Sequence, residues 1–100
     1  MGSNRVVEAQ LKALDWHLVP QSLRPAMRAW IGYGLRPGDF LSAVIRNDLT
    51  SAVFRADPIN LHKLKEIMLF MENEAPTHCW GSPLEMHFWQ ERGGLEGTDK

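Results

Sequence analysis

One hundred residues, 44% hydrophobic and 23% charged, fit one domain, and a chain of this size buries roughly 65% of the surface its unfolded form exposes, enough for a core without disulfides or metal. Lys and Arg total 11 against 12 Asp and Glu, and this net charge of -1 argues against a dedicated nucleic-acid binder. No apolar run approaches the ~20 residues needed to span a bilayer.

Ser3 or Asn4 is placed to cap a first helix running to about Trp16, with Val7, Leu11, Leu14 and Leu18 on one stripe. A second helix is predicted from Ser22 to Tyr33, burying Leu23, Met27, Trp30 and Ile31. Pro25 is tolerated in its first turn and Gly34 is the natural left-handed stop. Asp39 reads as the cap of a third helix with Phe40, Leu41, Val44 and Ile45 on a wide apolar face. Asn47-Asp48 then leaves two options open, one kinked helix or two short ones ending near Phe54.

Asp57-Pro58 is the clearest start signal, opening a helix to about Asn73 with Leu61, Leu64, Ile67, Met68 and Met71 on one face. Leu69 and Phe70 add a second apolar side, which predicts a central position for this helix. Ser82-Pro83-Leu84-Glu85 is a capping box for a last helix to about Gln90. No segment alternates with period two. The expectation is an all-α, single-domain bundle of four to six short helices over residues 1–92, with 93–100 as a flexible tail.

Charge is unevenly spread. Residues 1–50 carry six basic and four acidic groups, whereas 51–100 carry five basic and eight acidic ones. The lone Cys79 cannot form an intramolecular disulfide, which fits a reducing cytoplasm, and the N-terminus lacks the apolar stretch of a signal peptide. His17, His62, His78 and His87 have no zinc-ligand spacing with Cys79, so no metal or other cofactor is expected.

Arg24, Arg28 and Arg36 form the one local basic patch and motivate an alternative reading as a DNA-binding or DNA-processing accessory. Asp39, Asp48 and Asp57 each precede a helical segment, where a carboxylate stabilises free N–H groups; capping explains them without catalysis. No catalytic constellation is found, and a non-enzyme is expected.

The C-terminal aromatics are the preferred partner-binding candidates: Trp80, Met86, Phe88 and Trp89. Leu84 and Phe88 project about 100–160° away from Met86 and Trp89 on a helix, so one flat core contact cannot cover both pairs. A partner protein, or a second copy of the chain, is expected to dock on this segment, and Trp89→Ala is expected to weaken that docking while leaving the thermal midpoint nearly unchanged.

Several ordered strings also resemble a family. They are Val19-Pro20-Gln21-Ser22-Leu23-Arg24-Pro25, Pro37-Gly38-Asp39-Phe40-Leu41-Ser42-Ala43-Val44, Asn47-Asp48-Leu49, Arg55-Ala56-Asp57, Asn73-Glu74-Ala75-Pro76 and Cys79-Trp80-Gly81-Ser82-Pro83. Over about residues 18–90 the chain resembles small uncharacterised proteins of tailed bacteriophages and prophages. The resemblance implies a phage origin and action in the bacterial cytoplasm, and it transfers no functional residue. Together these readings predict a non-enzymatic accessory protein that binds a host or phage protein, with a homodimer as one form of that interaction.

Overall fold

A computed structural model of the chain describes residues 4–98, and every regular element in them is helical. Helix α1 (Arg5–Lys12) is capped by Asn4, whose side chain accepts from the Val6 and Val7 amides at 2.9 and 3.2 Å. It stops four residues short of Trp16. Asp15 starts a separate 3-10 turn at Trp16–Leu18, accepting from the His17 amide. Trp16 folds back so that its indole N–H donates to the Leu11 carbonyl at 2.7 Å, a bond available only because the helix has ended.

A second 3-10 turn, Gln21–Leu23, leads into α2 (Arg24–Tyr33), with Pro25 in its first turn. Gly34 ends it in the left-handed conformation at φ 70°. Helix α3 (Asp39–Ile45) follows, capped by Gly38; Asp39 is its first residue rather than the cap, and its carboxylate meets Arg55 at 3.3 Å. Asn47, at φ 61°, turns the chain sharply, so α3 and α4 (Leu49–Arg55) are two helices rather than one with a kink. Asp48 caps α4 through the Ser51 amide, and hydrogen bonding by the Ser51 side chain and then by this amide holds its carboxyl below the usual range.

Asp57 caps α5 (Pro58–His62), accepting from the Asn60 amide at 2.7 Å. The predicted helix to Asn73 is split at Lys63 (φ -97°, ψ 6°), and α6 (Leu64–Asn73) continues beyond it. After a 3-10 turn at Thr77–Cys79, Ser82 caps α7 (Pro83–Arg92), and α8 (Gly94–Thr98) closes the described chain. The break at Lys63 and the addition of α8 bring the described helices to eight, above the expected range, within the all-α architecture.

The central element is α3 and not the helix from Pro58. Its residues Phe40 to Ile45 are all buried, and the one polar member, Ser42, satisfies its hydroxyl on the Pro37 carbonyl at 3.0 Å. A helix enclosed on every side belongs in the middle of a bundle. Helix α6 instead buries Leu64, Ile67, Phe70 and Met71 while Leu69 remains 40% exposed. Phe70 is reached by Trp16, whose ring centroid lies 4.9 Å away. Leu61, expected on the buried face, is exposed on α5, because the break at Lys63 takes it off the α6 register.

Residues 94–98 correct the expected tail; 99 and 100 lie outside the described residues. Gly93 and Gly94 both have positive φ and double the chain back onto the end of α2. A Cβ on Gly94 would stand 2.6 Å from the Gly34 and Tyr33 backbone nitrogens, so α8 docks where a side chain does not fit. Leu95 adds an apolar contact to the core. Among the described residues, no helix is long and apolar enough to cross a membrane.

Candidate functional site

The C-terminal aromatics divide in two. Trp89 and Met86 are core residues, each 3% exposed, which corrects their place in the predicted docking face. The Trp89 indole donates to the Trp30 carbonyl at 3.0 Å, and the buried Trp30 indole donates to the Cys79 carbonyl at 2.9 Å. This chain of hydrogen bonds ties α7 to α2 and to the turn at Thr77–Cys79. The Arg92 guanidinium lies over the Trp89 ring, 4.8 Å from its centroid. Phe88 and Leu84 lie on the other side of α7 and remain exposed.

A larger apolar surface lies elsewhere. Within eleven residues, α4 and the start of α5 present Leu49, Val53, Phe54 and Ile59 to solvent. Phe54 is 83% exposed and Ile59 68%, while Ala52 alone anchors α4 in the core. Leu49 and Val53 share a stripe at i, i+4, with Phe54 one residue round the helix. Sequence reading placed these residues in a helix but assigned them no role; the signal was an apolar segment whose one buried member is an alanine.

Trp80 belongs to a third feature, an open cleft of about 470 Å³. Asn47 contributes from the α3–α4 turn, Met71 and Glu72 from the end of α6, and Ala75, Thr77, Trp80 and Gly81 from the following loop. The loop is pinned where the Gly81 amide donates to the Ile45 carbonyl at 2.9 Å. Among the described residues, the side chains of Asn47, Glu72, Thr77 and Trp80 make no hydrogen bond or ion pair, so their polar groups are available to a ligand.

The basic patch is largely engaged in the fold. Arg24 donates through Nε to the Val19 carbonyl at 2.8 Å. Arg28 pairs with Glu8 at 3.0 Å and covers Trp16, and the same carboxylate accepts from the Tyr33 hydroxyl at 2.7 Å. Arg36 is exposed beyond α2. Cys79 is buried, and desolvation raises its thiol pKa to about 12. His78 meets Glu85 at 3.3 Å on the surface, and among the described residues no three His, Cys, Asp or Glu side chains are grouped to hold a metal.

Comparison with known proteins finds no match. No family model fits the chain, and neither curated sequences nor solved structures contain a significant relative.

Proposed function

We propose that this chain is a small phage-type accessory protein that acts by stoichiometric, non-enzymatic binding to a host or phage protein in the bacterial cytoplasm. The observation that carries the binding is the surface of α4 and α5, where Leu49, Val53, Phe54 and Ile59 stand in water. Fully burying such a side chain is worth roughly 1.5–3 kcal/mol, and a group of them left partly in water favours an interaction site. Large aromatics dominate the energetics of protein contacts, and Phe54 is the most exposed large hydrophobic residue described. The phage assignment draws on the ordered strings between residues 18 and 90.

The test is affinity capture from bacterial lysate with the wild-type chain and with Phe54→Asp, alongside sedimentation of both. A partner recovered at fixed stoichiometry, or self-association, that the substitution abolishes supports the reading. Since Phe54 holds no core position, the variant keeps the wild-type thermal midpoint. Equal capture and equal sedimentation by both proteins would refute the assignment of this surface.

A further inference from the structure

The cleft beside Trp80 has a chemistry distinct from the α4–α5 surface, and what it binds does not depend on that surface. Its rim carries the Glu72 carboxylate, which only accepts, and the Asn47 amide and Thr77 hydroxyl, which accept as well as donate, with the Trp80 ring alongside and Met71 as apolar lining. Glu72 is the one charged side chain in that lining. On the adjoining chain, Glu74 accepts from the Asp15 amide at 2.9 Å, and Arg46, beside Asn47, pairs with Asp48 at 3.7 Å, so Glu72 sets the charge of the rim. Acceptors, one negative charge and an aromatic ring suit a planar cation that donates several hydrogen bonds. A guanidinium has five N–H donors and a flat face that stacks on indole.

We propose that this cleft binds the arginine side chain of an extended peptide segment, with Glu72, Asn47 and Thr77 accepting its N–H groups and Trp80 covering its face. Small-ligand sites occupy about 300–1,000 Å³, and a cleft of about 470 Å³ accommodates the side chain together with its flanking backbone. Free arginine lacks that flanking backbone and fills the cleft less completely.

The probes are acetyl-Ala-Arg-Ala-amide, the same peptide with neutral, isosteric citrulline, and free arginine. Each is titrated into 15N-labelled protein while the Trp80 indole N–H signal, assigned through Trp80→Phe, is followed. The expected result is a saturable shift with the arginine peptide, at an affinity on the order of 1 mM for a contact of this size. Citrulline and free arginine should bind at least about tenfold more weakly. Glu72→Gln should weaken the arginine peptide by a similar factor at an unchanged thermal midpoint. Asn47→Gly removes an acceptor while easing a left-handed backbone, so weaker binding there cannot come from unfolding. No shift at millimolar peptide, equal shifts with citrulline, tighter binding of free arginine, or full affinity in Glu72→Gln would each overturn the proposal.

Discussion

Trp89→Ala tests the packing of α7 most directly. The indole is 3% exposed and wedged between α7 and α2, with its N–H on the Trp30 carbonyl and Arg92 over its ring. Truncating a buried Trp to Ala typically costs 3–5 kcal/mol, transfer and cavity together. The lost hydrogen bond adds the lesser penalty of about 0.5–1.5 kcal/mol, not that of an orphaned group, because the Trp30 carbonyl still accepts from the Gly34 amide at 2.9 Å. At roughly 4–8 °C per kcal/mol for a domain of this size, the midpoint should fall by about 15–50 °C. A domain with about 5 kcal/mol in total, the low end for folded proteins, would then be close to unfolded at room temperature. Trp89→Phe keeps most of the ring volume and should lose only about 1–2 kcal/mol, which urea denaturation can measure. Phe88→Ala, one residue earlier and 58% exposed, should change stability by less than about 0.5 kcal/mol. If Trp89→Ala melted within a few degrees of wild type, or no differently from Phe88→Ala, the burial of this side of α7 would be refuted.

Three further predictions concern other parts of the fold. Gly94→Ala should cost more than about 2 kcal/mol, because it adds a Cβ at φ 69° within 2.6 Å of the α2 terminus; urea melts that match wild type would remove α8 from the fold. Cys79 should resist alkylation in the native protein at pH 8 and react on unfolding, and rapid native labelling would contradict its burial. Between the free thiol's 9.0 and the folded value of about 12, the unfolded chain releases a proton that the folded chain keeps. Cys79 therefore makes stability fall as pH rises through that window, and Cys79→Ala should flatten this part of the profile.

Helix starts and stops were largely written locally. Asn4, Asp57-Pro58, Ser82-Pro83 and Gly34 act within one turn of themselves, and each sits where the sequence placed it. The absence of period-two alternation likewise anticipated the all-α architecture, because hydrophobic spacing is a property of consecutive residues. Two breaks were harder to read. Asn47 carries a left-handed backbone that asparagine tolerates without requiring it, and Lys63 interrupts an apolar pattern that runs on either side of it.

The side that each helix buries was a different matter. Helix α7 carries apolar pairs in two directions, so periodicity offers two equivalent answers, and the hydrogen bond from Trp89 to the Trp30 carbonyl, 59 residues away in sequence, selects one. Helix α3 became central, and α6 did not, because the other helices close around Phe40 to Ile45 from every side. The cleft is the clearest case. Asn47, Glu72, Thr77 and Trp80 have no shared spacing, and only the packing of the α3–α4 turn against the loop after α6 brings them to one rim. By itself the sequence determined the all-α class and the helix ends that carry their own cap, at Asn4, Gly34, Asp57 and Ser82, since capping and φ preference act over three or four residues. Tertiary structure alone decided which faces meet water and which polar groups meet each other, since burial depends on partners distant in the chain.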